Sequence, residues 1–116
     1  MPGEPDVCEA KRAELIRLLQ GDELEEWRIT ESALRDGRRI LPEHQGHFGA
    51  YAVHLFILDL LRANTPMHAV ELGSGETGCV MNTRLPDGRS LYVKLTIQDE
   101  MAVILSFHVS IHEQGG

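Results

Sequence analysis

The chain is poor in several things, and each shortage excludes something. Cysteine occurs twice in 116 residues, at Cys8 and Cys79. Two cysteines so far apart match no zinc-ligand or redox spacing. So few of them predict reduced thiols in an intracellular protein. Aromatic residues make up 5% of the chain, with a single tryptophan, Trp27, expected to pack at a helix junction. Long apolar runs are missing too. The longest, "FGAYAVHLFILDLL", is too short to span a bilayer and contains His54 and Asp59. The opening "MPGEPDVCEAKR" has no apolar run, so no secretory signal and a cytoplasmic location are expected. Positive charge is also scarce. Eleven Lys and Arg stand against 18 Asp and Glu, a net charge of −7. That argues against a general electrostatic grip on nucleic acid.

What is present suits one domain over residues 1–116. The 42% of hydrophobic residues is enough for a core and too much for a disordered chain. The acidity is uneven. Residues 1–26 hold eight carboxylates and three bases, a net of −5, so the other 90 residues carry only −2. Residues 78–97 hold Arg84, Arg89 and Lys94 against Asp87.

The pattern along the chain predicts helices first and strands afterwards. Residues 1–7 read as a loose tail and 8–64 as mainly helical. Leu15, Ile16, Leu18 and Leu19 give a first helix its apolar side, and Gly21 stops it. In "WRITESALRDGRRILP", Thr30 or Ser32 can cap a second helix with a side-chain oxygen, and Pro42 closes it. Ile29, Ala33, Leu34 and Ile40 are its expected buried residues. Residues 48–61 are apolar on nearly every side, which predicts a central, covered third helix. "NTP" ends it, because the residue before a proline avoids helical geometry. From Pro66 the period becomes two, and 66–109 read as an antiparallel sheet. "GSGETG" is expected to be a flexible surface loop, since it lacks the Lys-Ser/Thr and helix of a P-loop. The fold class is therefore α+β, with helices packed on one face of a twisted antiparallel sheet.

Alternation along strands sorts side chains by face. With "PDG" as a turn, Leu85 pairs with Arg89, Asn82 lies beside Tyr92 and Arg84 beside Ser90. With "QDE" as the next loop, Ile97 pairs with Met101, Tyr92 faces Ser106 and His108 faces Ser90. Leu91, Val93, Leu95 and Ile97 then share the apolar face with Met101, Val103, Leu105 and Phe107. The opposite face gathers Asn82, Arg84, Ser90, Tyr92, Lys94, Ser106 and His108. Such a face is often plain solvated surface. Its residue types also suit phosphodiester chemistry. A histidine can move a proton near neutral pH. Arg84 and Lys94 can stabilise charge on phosphate oxygens. Tyr92 can stack on a base. His44, His47 and His54 suggest a metal only weakly, because no carboxylate or cysteine completes a ligand set. His68, alone at a strand start, reads by itself as structural or exposed.

These residues resemble a known family. "RITESALRDGRRI" is similar to the "R-x-T-x-S-A-L" opening of the MqsR family of toxin endoribonucleases. "SLYVKLTI…MAVILSFH" is similar to its closing strands, "VY-x-K-L…VVISF" followed by a basic residue. The resemblance covers roughly residues 28–108. It implies a RelE-like fold that cuts mRNA without metal or other cofactor, as the toxin of a toxin–antitoxin pair. Tyr92 matches the family's site tyrosine, and Lys94 the lysine two residues on. His108 stands at the basic residue after "SF", and His68 falls near a further family lysine. The expected catalytic set is His108, Lys94, Tyr92, Arg84 and His68, with Asn82, Arg89 and Ser106 contacting RNA. The expected partners are RNA and a cognate antitoxin. The net charge supports a different expectation: a non-catalytic acidic module (antitoxin-like, immunity or inhibitor protein) that engages a basic partner.

Overall fold

The apolar periodicities become real elements. The computed structural model describes residues 7–21, 26–40, 49–73, 75–85 and 87–109. Helix α1 (Val7–Gln20) buries Leu15, Leu18 and Leu19. Helix α2 (Glu31–Ile40) buries Ala33 and Ile40, while Ile29 and Leu34 are half-buried. Thr30 is its cap, accepting the Ala33 N–H at 3.2 Å. Helix α3 (Gly49–Arg62) buries Val53, Ile57, Leu58 and Leu61. It is not covered all round, since Leu55 is 50% exposed and Asp59 faces solvent. Asn64, at φ 64°, turns the chain out of the helix ahead of Pro66. Arg12 ties α1 to the end of α3 and to the turn that follows it. Its guanidinium bonds Leu61 O at 3.0 Å and Thr65 O at 2.7 Å while pairing with Glu9. Among the described residues no helix is long and apolar enough to cross a membrane. Of the expected tail, residues 1–6 lie outside the described residues and Val7 already belongs to α1; the segment with Pro42, His44 and His47 lies outside them too.

Five strands follow the order β1-β5-β4-β3-β2. They are β1 (Trp27–Ile29), β2 (Met67–Glu71), β3 (Thr77–Arg84), β4 (Ser90–Gln98) and β5 (Met101–Val109). The class is α+β, with the helices on one face of the sheet, as the pattern predicts. Strands β2 to β5 are antiparallel neighbours. One element is unforeseen. Trp27–Ile29, expected to lead into a helix, is a strand parallel to β5, so the sheet is mixed. Trp27 is accordingly a strand residue of the core, stacked on His54 at 4.4 Å.

The β3–β4 register is the expected one, with Asn82 opposite Tyr92 and Arg84 opposite Ser90. The β4–β5 register differs. The turn is two residues, Asp99 and Glu100, both at positive φ as a type I′ hairpin turn requires. Gln98 therefore pairs with Met101, and Ala102 and Ile104 point into the core instead of Met101, Val103 and Leu105. Leu105 is then an extra residue, a β-bulge that flips the alternation back. Beyond it Phe107 is buried, Lys94 faces Ser106 and Tyr92 faces His108. Thr30 anchors the bulge, since its hydroxyl donates to Leu105 O at 3.1 Å and its N–H to Ile104 O.

The expectation of two separate thiols is overturned. Cys8, in the first turn of α1, and Cys79 of β3 form a disulfide with Cα atoms 5.6 Å apart. Both are buried in the core. A local spacing rule cannot find a link between residues 71 apart.

Two outcomes follow for stability. Thr30→Ala removes the cap and the bulge anchor together, and urea unfolding should show a loss of about 1–2 kcal/mol. Reducing the disulfide reopens a loop of 71 residues, and the chain-entropy relation puts the loss at about 4 kcal/mol. Melting with and without dithiothreitol measures it, and a Cys8→Ser variant should melt like the reduced protein.

Candidate functional site

All three helices cover one face of the sheet; on the other, Val80 and Thr96 are buried, Tyr92, Lys94, Ser106 and His108 are half-buried, and His68, Asn82 and Arg84 are exposed. Register names its members. Asn82, Tyr92 and His108 form one row across β3, β4 and β5. His68, Val80, Lys94 and Ser106 form the next, across β2 to β5. Arg84 and Ser90 form a third. Arg28 of β1 lies opposite Val103 on the same face. The strands thus carry Arg28, Arg84 and Lys94 onto this face, with His68 and His108. No described strand residue on it is a carboxylate.

The free cations support that count. Arg12, Arg17, Arg35 and Arg89 each pair with a carboxylate. Arg28, Arg84 and Lys94 have no carboxylate partner among the described residues, and Arg84 bonds only the Gly88 carbonyl, at 3.0 Å.

His108 is the most constrained of the expected site residues. Its ring stacks on Tyr92, with centroids 4.9 Å apart and planes at 21°. Its Nδ1 lies 3.2 Å from Val109 O. A carbonyl only accepts, so Nδ1 is the donor in this contact, and Nε2 is the ring nitrogen left outside it. The stack and the carbonyl together hold the ring in one orientation. Lys94 follows Tyr92 by two residues on β4, about 6.5 Å along the strand.

Two expected members stand apart. His68 is on the same face and exposed, but three strands from β5, about 14 Å away at ordinary strand spacing. It does not join the His108 cluster. Arg89 pairs with Leu85, a core residue, so its parity is that of the helical face. It meets His108 from the side instead. Both line an open hollow of about 400 Å³ at the end of the sheet, with Val109 and with Asp36, Arg39 and Ile40 of α2. The pattern did not single out Arg39 or Arg28. Arg39 belongs to the basic run "RDGRR" of an amphipathic helix, and only tertiary packing brings it to β5.

Of the three histidines of the weak metal expectation, His44 and His47 lie outside the described residues. His54 is buried, bonded through Nε2 to Leu19 O and stacked on Trp27. Among the described residues no group of His, Cys, Asp or Glu could hold a metal ion.

Comparison with protein-family models, with curated proteins and with solved structures finds no match.

Asp87 sets the electrostatics at the edge of the hollow. It accepts the Arg89 backbone N–H at 3.0 Å and pairs with the guanidinium at 2.8 Å. The backbone bond is the larger cause that holds its carboxyl below the ordinary range, and the side chain adds to it. A folded value below the unfolded one means that this contact stabilises fully above the unfolded value. Its contribution is lost as pH falls through the folded value. Carboxyl-carbon NMR should therefore find Asp87 titrating below a free aspartate. Arg89→Gln should raise the midpoint only part of the way, because the backbone donor stays. A complete return would show the ion pair alone to be responsible.

Proposed function

We propose that this protein is a metal-independent endoribonuclease of RelE-like fold, the toxin of a toxin–antitoxin pair, acting on mRNA in the cytoplasm. The observation that carries the proposal is the open sheet face. It sets a stacked, oriented His108–Tyr92 pair beside cations that have no carboxylate partner among the described residues. An acidic chain with a locally cationic face suits a polyanion better than its net charge implies. The resemblance of Tyr92, Lys94 and His108 to the MqsR pattern points the same way.

The chemistry needs few groups. Nε2 of His108 takes the proton of a ribose 2′-hydroxyl. The oxygen attacks the adjacent phosphorus, and the bond to the 5′-oxygen breaks. The Lys94 ammonium gives that leaving oxygen a proton. The products are a 2′,3′-cyclic phosphate and a free 5′-hydroxyl. Arg84 and Lys94 offset charge on the non-bridging oxygens, where a prearranged donor is most effective. Tyr92 fixes the imidazole and presents an aromatic surface to a base. Asn82 and Ser106 flank the two rows as polar contacts. The antitoxin would meet the opposite, helical side, where Glu9, Glu14, Glu31 and Asp59 are exposed to a basic partner.

The test is cleavage of end-labelled RNA in excess EDTA. Wild-type protein should yield cyclic-phosphate ends. His108→Ala should slow cleavage by about 10²–10⁴-fold, the usual worth of a positioned acid–base group. Lys94→Ala should also slow it, with both variants still folded. Equal rates in all three, or no cleavage by any, would defeat the proposal. A stoichiometric protein partner bound equally well by His108→Ala, without any cleavage, would favour the acidic binding module instead.

A further inference from the structure

The hollow beside His108 has a composition that the sheet face does not explain. Asp36, Arg39 and Ile40 reach it from the last turns of α2. Arg89, His108 and Val109 reach it from the sheet. Arg39 is exposed and has no ion pair or hydrogen bond among the described residues. Arg89 engages Asp87 through Nε, which leaves its two terminal nitrogens without a protein partner among the described residues. Asp36, the one carboxylate in the wall, lies 3.8 Å from the Arg35 guanidinium. A cation at the end of a helix has an ordinary explanation, because the helix dipole favours it there. That accounts for Arg39 on α2. It does not account for a second guanidinium and an imidazole facing it from the sheet.

The geometry points to a phosphate site. Two guanidinium groups from different elements suit non-bridging phosphate oxygens, which arginine grips with paired N–H donors. The α2 carbonyl end opposes an anion, but a dipole end is a weaker effect than a charge-assisted guanidinium bond. Resting on the nuclease reading, the ligand is a phosphate of the RNA strand being cut. His108 forms both the wall of the hollow and half of the Tyr92 stack. The phosphate held there is therefore next to the reacting one. Strand β1 pairs only with residues 102–104, so among the described residues no strand pairs with the outer edge of β5 from 106 to 109. The backbone of the RNA passes over that bare edge, from Arg39 and Arg89 to His108 and on to Lys94.

The experiment is an amide NMR titration of the full chain. Inorganic phosphate comes first, then a 2′-O-methyl oligoribonucleotide that cannot be cut. Phosphate should move the amides of Arg39, Arg89, His108 and Val109 saturably. Arg39→Ala, an exposed position, should weaken oligonucleotide binding about tenfold and lower the salt slope by about one. Amides that do not move, or that move alike in wild type and Arg39→Ala, overturn the site. RNA cleavage unchanged in Arg39→Ala, with an unchanged salt slope, removes the site and leaves the nuclease reading standing. Phosphate binding that needs Arg39, in a protein that cuts no RNA, keeps the site and removes the nuclease reading.

Discussion

The site depends on the extra residue in β5. From the Asp99–Glu100 turn the strand pairs so that Ala102 and Ile104 face the helices. Continued without interruption, that pairing would set Tyr92 against Phe107 and send His108 into the core. It would expose the Phe107 ring, whose burial is worth about 1.5–3 kcal/mol, and strand an imidazole among apolar side chains. The bulge at Leu105 avoids both losses. Phe107 instead packs edge-on against Phe56, with ring centroids 5.8 Å apart. A bulge leaves backbone groups to be satisfied, and Thr30 takes the Leu105 carbonyl. The same hydroxyl oxygen caps α2. One threonine thus joins the start of a helix to the register of the strand that bears His108.

Net charge is a poor guide to this surface. The chain carries −7, yet the strands give the open face three cations and no carboxylate among the described residues. The exposed acids of α1, α2 and α3 lie behind the sheet, one packed layer of about 10 Å away. The Debye length at physiological ionic strength is about 8 Å. A ligand on the open face therefore responds chiefly to the cations beside it. Acids nearer the face, at Glu76, Asp99 and Glu100, lie in the hairpin turns. Asp87 lies in a turn too, and its charge is already spent on Arg89.

How much was legible in the sequence follows from the range of each interaction. The three helices could be read because their apolar stripes and stops are local. Thr30 was one of two candidate caps for the same reason. The β3–β4 register followed from "PDG", whose Gly88 takes φ 92° in a closed turn. Longer-range features were hidden. The three residues of β1 are too few to alternate visibly, and their pairing depends on β5, some 75 residues away. The bulge lets Phe107 be buried, but its anchor is Thr30, which "MAVILSFH" does not contain. The Cys8–Cys79 link depends on how α1 lies across β3. Arg39 reaches the hollow because α2 crosses β5, which "RDGRR" cannot convey.

The gathered face and the site are different results. The expected pairing and the observed one agree on which side chains of β4 and of the end of β5 share the open face. They differ by two residues along β5, about 6.5 Å. In the expected pairing His108 lies opposite Ser90, Tyr92 faces a serine, and no ring stack forms. In the observed pairing the rings meet, the Val109 carbonyl holds the imidazole in one orientation, and the ring borders the hollow that Arg39 and Arg89 also line. Composition and alternation are the same in both cases. Only the second gives the imidazole a fixed direction next to a concave wall, and a fixed direction is what a reactive group requires and a wetted one does not.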